Sequence, residues 1–159
     1  EMYYLAAKKL GEAGYRHYEI SNYAKSGKLC RHNLKYWKNE EYIGVGAAAH
    51  SYFKGVRYSN SSDFSKYLSV ACVAQRVVDE EREPTDPFEY VMLKLRLADG
   101  ISFKYLSYYY DFNPTKEFME KIKLYKKNKL CRFDGDILSL TEKGMLLSNE
   151  IIAELESSL

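Results

Sequence analysis

The sequence is poor in the residues that build disulfide frameworks and zinc sites. It holds three cysteines among 159 residues, Cys30, Cys72 and Cys131, and no two of them stand at the spacing of a metal-binding pair. An odd number of widely separated cysteines is typical of free thiols in a reducing compartment. The sequence therefore predicts neither structural disulfides nor a zinc centre.

Long apolar runs and an excess of one charge are also missing. No stretch approaches the roughly 20 apolar residues that cross a bilayer, and the opening segment lacks the pattern of a signal peptide. The 24 basic and 22 acidic residues leave a net charge of +2, so no strong field would attract nucleic acid or anionic lipid. We expect a cytoplasmic protein without a membrane span, and an opening that is already amphipathic at Glu1 suggests a piece of a longer protein.

Helices and short strands alternate in the first half of the chain. Apolar spacing predicts a helix from Met2 to Ala13, and the alternating residues that follow predict a strand. This order of helix, turn and strand is typical of an α/β barrel or sheet. The elements predicted here are a strand over Arg16 to Ser21, a glycine-rich strand with its flanking loop over Tyr42 to Tyr52, a helix over Asp63 to Asp79 and a linker over Glu80 to Asp86. We place a domain boundary near Pro84.

The second half predicts three helices, a hairpin and a closing helix. Asp134-Gly135-Asp136 separates two apolar stretches, and glycine supplies the positive φ that a tight turn requires. Threonines stand where the third and last helices begin and are good N-caps. The predicted helices contain Phe88 to Leu95, Ser102 to Tyr109, Phe118 to Tyr125 after Thr115, and Leu147 to Leu155 after Thr141, with hairpin strands over Leu130 to Phe133 and Ile137 to Leu140. This order predicts a winged-helix-like domain.

The segment CRHNLKYW, from Cys30 to Trp37, combines groups that could serve a porphyrin. His32 could ligate a metal through its neutral imidazole, and Tyr36 and Trp37 could offer flat apolar surface. In the alternative interpretation, His32 and Asn33 cap the following turn and the two aromatic side chains fill a core. The residues alone leave both interpretations open.

Four segments carry a resemblance to a known family. They read EISNYAKSGKLCRHNLKYW, EYIGVGAAAHSY, FEYVMLKLRLADGIS and LSLTEKGMLLSNEIIAE, and together they cover most of the chain. The sequence resembles the C-terminal portion of the oxygen-independent coproporphyrinogen oxidase-like radical S-adenosylmethionine family, in its haem-chaperone branch. The resemblance implies an α/β fold, with the C-terminal part of a partial (β/α) barrel over residues 1–83 and a small α+β winged-helix-like domain over residues 84–159.

The resemblance also implies where ligands bind. His32, Asn33, Tyr36 and Trp37 match the HNxxYW element that is proposed to hold haem in this branch, with His32 as the ligand of the haem iron. Gly44, Gly46 and Ala47 would border the S-adenosylmethionine pocket, although runs of Gly and Ala more often reflect tight packing. Glu19, Asn22 and His50 are candidates for a substrate cleft, because side chains at the C-terminal ends of barrel strands contact ligands. Ordinary hydrogen bonding is the alternative for these three.

One element of the family is missing from this sequence. The three-cysteine motif CxxxCxxC, which holds a 4Fe-4S cluster open to S-adenosylmethionine, is absent, and three single cysteines cannot replace it. The cluster and S-adenosylmethionine are therefore expected in the full-length parent. We expect the chain on its own to be catalytically inactive.

Three functions follow from these observations. The first is a haem chaperone that passes haem or a porphyrin to haem-accepting proteins, which the HNxxYW element and the pair Ala49 and His50 favour. The second is the oxidase itself, which decarboxylates the propionates of coproporphyrinogen. The third is a winged-helix module that binds nucleic acid through lysines 116, 121, 123, 126, 127 and 129, although interleaved acidic residues weigh against it. A homodimer through an unpaired barrel edge is a further expectation.

Overall fold

The computed structural model describes residues 1–69, 78–82 and 87–158. Helices and strands are mixed along the chain, which agrees with the predicted mixed fold class. Their order is α1 (Met2–Glu12), β1 (Arg16–Glu19), β2 (Asn22–Ala24), α2 (Arg31–Trp37), β3 (His50–Phe53), β4 (Val56–Asn60), α3 (Phe64–Ser69), β5 (Val78–Arg82), α4 (Pro87–Lys94), β6 (Ile101–Ser102), α5 (Phe103–Tyr110), α6 (Lys116–Lys127), β7 (Cys131–Phe133), β8 (Ile137–Leu140), α7 (Glu142–Leu146) and α8 (Ser148–Glu156).

Contacts divide the chain into two compact units, residues 1–38 with 86–159 and residues 39–85. The predicted boundary near Pro84 lies outside the described residues, as does Cys72. The division at residues 83 and 84 therefore stays a prediction. No helix among the described residues is long and apolar enough to cross a membrane.

The chain opens with α1 and an antiparallel hairpin. The predicted helix is confirmed within one residue, and Gly14 follows it with a φ of 80°. The predicted strand from Arg16 to Ser21 is shorter than expected, because the chain turns after Glu19 and returns as β2. On its other side, β1 is joined to the segment after α4, where Ala98 N donates to Tyr18 O at 3.0 Å.

Residues 39–85 contain a three-stranded antiparallel sheet with β4 at its centre. The predicted strand over Tyr42 to Tyr52 is wrong for most of its length, because β3 begins only at His50. Tyr42 forms an isolated bridge with Tyr52, and the residues between run as a loop. Gly46 and Ala48 have φ values of 115° and 60°, which an extended strand cannot contain.

The predicted helix over Asp63 to Asp79 is only partly confirmed. Helix α3 covers Phe64–Ser69, and residues 70–77 lie outside the described part of the chain. Val78–Arg82 is strand β5, so the predicted helix end and the start of the predicted linker are both wrong. The pairing of β5 with β4 explains the difference, because long-range strand pairing overrides local helix propensity.

The second half folds as three helices followed by a hairpin, which confirms the winged-helix-like arrangement. Strand β6 adds to the hairpin and gives a sheet in the order β6-β8-β7. Thr115 Oγ1 accepts a hydrogen bond from Phe118 N at 3.1 Å and so caps α6 as predicted. At the hairpin turn, the Asp134 carboxylate accepts hydrogen bonds from the backbone N–H groups of Asp136 and Ile137, which hold its pKa below the usual value.

The predicted closing helix is in fact two helices that meet at Leu147. Thr141 caps the first of them, since its Oγ1 accepts from Gly144 N at 3.1 Å. Helix α8 then buries Ile151, Ile152 and Leu155 in a core that includes Phe118 and Ile122. All buried members of this core lie between Tyr90 and Leu155.

Candidate functional site

Helix α2 carries the predicted haem-binding residues. His32 and Tyr36 are one turn apart and therefore lie on the same face of the helix. The phenol oxygen of Tyr36 lies 3.2 Å from Nε2 of His32, and the two rings meet edge to face with their centroids 5.1 Å apart. The imidazole is exposed to solvent, so it is both oriented and accessible.

Trp37 and Asn33 are half-buried in the same helix. The guanidinium carbon of Arg96 lies 5.6 Å from the Trp37 ring, within cation–π distance. The indole Nε1 of Trp37 is buried and has no hydrogen-bond partner among the described residues. Trp37 is thus packed against Arg96, whereas His32 and Tyr36 lie on another face.

The structure bears on the capping part of the alternative interpretation of this motif. No side chain caps the start of α2, where Cys30 occupies the N-cap position. The helix has no fully buried residue, although Tyr36 and Trp37 are half-buried. An exposed histidine held by a tyrosine is therefore the main chemical feature of α2.

Gly44, Gly46 and Ala47 lie in the loop before β3, where the loop backbone is held by side chains of its own unit. Gly44 N donates to Ser51 Oγ at 2.9 Å, and Asn60 Nδ2 donates to the carbonyl oxygens of both glycines at 3.3 and 2.9 Å. A Cβ at position 44 would overlap the backbone oxygen of His50. Close backbone packing therefore explains the glycine at position 44, and a role in binding S-adenosylmethionine stays a prediction.

The predicted cleft residues are placed in two different units. Glu19 and Asn22 face each other across the β1–β2 hairpin, whereas His50 is exposed at the start of β3. Glu19 is 1% exposed, and neither of its carboxylate oxygens has a hydrogen-bond partner among the described residues. Their common role in a substrate cleft stays a prediction.

A cavity of about 220 Å³ opens beside α2 and contains residues that the sequence did not single out. Its lining includes three cationic residues, Arg16, Lys25 and Lys38, and a single acidic residue, Asp99. These four positions are far apart in the sequence, so no local pattern could have indicated them. We refer to this space as the cationic cavity.

Three of the six lysines before the hairpin make contacts within the protein. Lys121 Nζ lies 3.2 Å from Glu117 and donates to Glu154 O at 2.6 Å, and Lys126 Nζ donates to Phe133 O at 2.8 Å. Lys116 pairs with Glu120 at 3.8 Å. These contacts reduce the basic surface available to phosphates.

Residues for an iron–sulfur cluster are not assembled in the described part of the chain. Within that part, no group of three or more His, Cys, Asp or Glu side chains could hold a metal ion. Cys30 is exposed, whereas Cys131 is buried, and burial raises the pKa of its thiol. The donor set does not fit a 4Fe-4S cluster, but the exposed imidazole of His32 fits one axial position of a haem iron.

The chain is similar in sequence to known proteins. Residues 83–147 match the family described as HemN C-terminal domain. The chain is 33% identical to heme chaperone HemW of Lactococcus lactis over 95% of its length and 40% of that protein, and 33% identical to HemW of Bacillus subtilis over 95% and 41%. HemW of Mycobacterium tuberculosis is 31% identical over 96% of the chain and 38% of its own length.

A solved structure has the same fold. It is that of coproporphyrinogen III oxidase (HemN) from Escherichia coli, a radical SAM enzyme, which aligns with a TM-score of 0.70 over 98% of this chain and 40% of the enzyme chain. Sequence identity is 16%, so this likeness concerns the fold alone. The chain spans about 40% of the length of the relatives and of the enzyme that it matches. Residues 83–147 thus match the HemN C-terminal domain family, and nearly the whole chain is similar in sequence to relatives named heme chaperone HemW.

Proposed function

We propose that this chain provides the haem-holding segment of a haem chaperone, with His32 as an axial ligand of the haem iron. The main support for this proposal is the exposed imidazole of His32, which Tyr36 contacts on the surface of α2. The relatives named heme chaperone HemW support the choice of ligand. In this proposal haem is cargo, to be passed to haem-accepting proteins.

The His32–Tyr36 contact has a chemical role in this proposal. A histidine that binds a metal through one ring nitrogen generally has the other nitrogen fixed by a hydrogen bond, which selects the tautomer and the ring orientation. When the Tyr36 oxygen accepts a hydrogen bond from the Nε2–H group of His32, the lone pair of Nδ1 is left for iron. Tyr36 is thus a positioning residue and His32 the ligand.

Haemin titration tests the proposal directly. We expect a saturable one-to-one change of the Soret band for the chain and loss of that change in His32→Ala. Tyr36→Phe, which removes only the phenol oxygen, should weaken binding about tenfold, as losses of residues that orient metal ligands do. Substitution of the other exposed imidazole, His50→Ala, provides the comparison. Loss of the band in His50→Ala but not in His32→Ala would contradict the proposal.

The remaining parts of the family's chemistry are proposals for the whole protein. Binding of S-adenosylmethionine would involve the loop at Gly44, Gly46 and Ala47, and a 4Fe-4S cluster needs thiolates beyond those of this chain. The propionate decarboxylation of the oxidase remains the alternative activity. The two activities differ in their product, so analysis of coproporphyrinogen incubated with the full protein, S-adenosylmethionine and a reductant separates them.

A further inference from the structure

The cationic cavity is built by three segments that bring distant basic residues together. Arg16 begins β1 and pairs with Ala24 across the hairpin, next to Lys25. The turn that follows is closed by a hydrogen bond from Lys28 N to Lys25 O at 3.0 Å, with Gly27 at a φ of 71°. Lys38 comes from the C-cap of α2. The backbone positions of the three basic residues are therefore fixed by the hairpin, the turn and the helix end.

Most of this positive charge has no acidic partner. Asp99 is the one acidic residue of the lining, so three cations and one anion leave an excess of two positive charges. Among the described residues, neither Arg16 nor Lys38 has an ion pair, and Lys25 instead packs over the Tyr15 ring at 5.2 Å. Like charges repel at short range, so an anion within the cavity would relieve their repulsion.

The size of the cavity limits what it can hold. Pockets for whole small molecules usually have volumes of about 300–1,000 Å³, and this cavity has about 220 Å³. It has room for one carboxylate and its hydrogen-bonding neighbours, but a complete porphyrin is too large. Arginine and lysine are the usual partners of carboxylates, and arginine can bind both oxygens at once.

The cavity also lies on a different side of α2 from the proposed haem ligand. Leu34 and Lys38 line it, one turn apart, whereas His32 and Tyr36 are each two positions from Leu34. Two positions correspond to about 200° around an α-helix. A ligand group in the cavity is therefore separate from a group bound at His32.

We infer that the cationic cavity is a carboxylate-binding site, in which Arg16, Lys25 and Lys38 contact a single carboxylate group. The group belongs either to a propionate arm of a porphyrin or to a free small acid. This assignment does not depend on His32 acting as an iron ligand.

Two probes without iron test the assignment. Metal-free deuteroporphyrin and its dimethyl ester differ only in whether the propionates are free, and neither can coordinate His32 through iron. We expect the free acid to bind at least tenfold more tightly than the ester. The double variant Arg16→Gln with Lys38→Gln should remove this difference, whereas His32→Ala should keep it.

Lys35→Gln provides the matched control. Lys35 is exposed on α2 and does not line the cavity, so its substitution removes one positive charge without touching the site. Equal circular dichroism of all variants shows that each is folded. Equal affinity for the free acid and the ester would show that the cavity does not bind a propionate of the porphyrin. An effect of Lys35→Gln as large as that of the double variant would overturn the site.

A succinate titration distinguishes the two sources of the carboxylate. Binding of succinate that is lost in the double variant, with no preference of the chain for deuteroporphyrin over its ester, supports the site with a free acid as its ligand. The inference is wrong if neither probe depends on Arg16 and Lys38. Haemin titration of His32→Ala tests the haem proposal, whereas the probes without iron test the cavity. Failure of one proposal can therefore be told from failure of the other.

Discussion

Four tyrosines among the described residues, Tyr3, Tyr23, Tyr90 and Tyr125, have a phenol pKa above its ordinary value. Burial is the main cause, and it raises the pKa of Tyr3 and of Tyr90 to about 12. The pKa of Tyr125 is raised as well, by burial and by the hydrogen bond that its phenol donates to Glu154 at 2.5 Å. These groups stabilise the fold only while they remain protonated.

Tyr90 leads to a prediction about alkaline stability. Its ring is 9% exposed and stacks on Tyr105 at 5.0 Å. Because the unfolded pKa is about 10 and the folded pKa about 12, its contribution is complete below pH 10 and is lost as pH rises towards 12. A difference of two pKa units corresponds to roughly 3 kcal/mol. We expect the free energy of unfolding of Tyr90→Phe to fall less than that of the unmodified chain between these pH values.

Urea unfolding at pH 9 and at pH 11.5 measures this difference. Tyr108→Phe is the matched control, because Tyr108 is 81% exposed and is expected to follow the unmodified chain. Equal pH dependence of Tyr90→Phe and Tyr108→Phe would show that burial of Tyr90 has no such effect.

Individual residues of the candidate site could be predicted only where they lie close together in the sequence. His32 and Tyr36 belong to one short motif, so the sequence predicted both as site residues, whereas their contact appears only in the structure. The cationic cavity combines Arg16 and Lys38 with Asp99 through tertiary packing, and no local pattern contains this information. The sequence was equally silent on the burial of Glu19, whose carboxylate has no hydrogen-bond partner in the described part of the chain.

Among the elements, those with clear caps and turns were predicted well. Thr115, Thr141 and the Asp134-Gly135-Asp136 turn each use side-chain or backbone chemistry that acts within a few residues. The errors lie where distant segments decide the structure. Pairing with β4 makes Val78–Arg82 a strand, and the Asn60 side chain holds the loop at Gly44 and Gly46 away from strand geometry.

Helix α7 packs closely against the start of the hairpin, and this contact leads to a prediction. A Cβ at Gly144 would overlap the backbone oxygen of Leu130, and backbone cannot move aside as a side-chain end can. We expect Gly144→Ala to lower the free energy of unfolding by about 2 kcal/mol, because overpacking outweighs the better helix propensity of alanine. Urea unfolding measures the change.

Gly11→Ala is the matched control. Gly11 is also inside a helix, but a Cβ there would meet no atom within 4 Å. Its substitution is expected to leave stability equal or higher, since alanine favours helices by roughly 1 kcal/mol. Two substitutions of the same chemistry should thus have opposite effects, and a loss of stability in both would contradict the packing argument.

Across the whole molecule, the buried apolar side chains are unevenly distributed. The core lies between Tyr90 and Leu155, whereas Ala24 is the one buried hydrophobic residue in the described range 1–69. Helices α1, α2 and α3 have no buried residue. Because burial of apolar surface is the main stabilising term in folding, we expect the C-terminal core to be the most stable part of the chain.

Hydrogen exchange followed by mass spectrometry tests this expectation and links it to function. Local opening is easiest where few apolar contacts are buried, so the amides of α2 should exchange much faster than those of α6 and α8. Ferric haem bound at His32 stabilises the state that binds it and should slow exchange over residues 30–38, with no change in α6. In the His32→Ala variant, adding haem should not change the exchange rate of the α2 amides. Slow exchange in α2 without haem, equal to that in α6, would contradict the expected distribution of stability, because a helix without buried residues would then be as stable as the core.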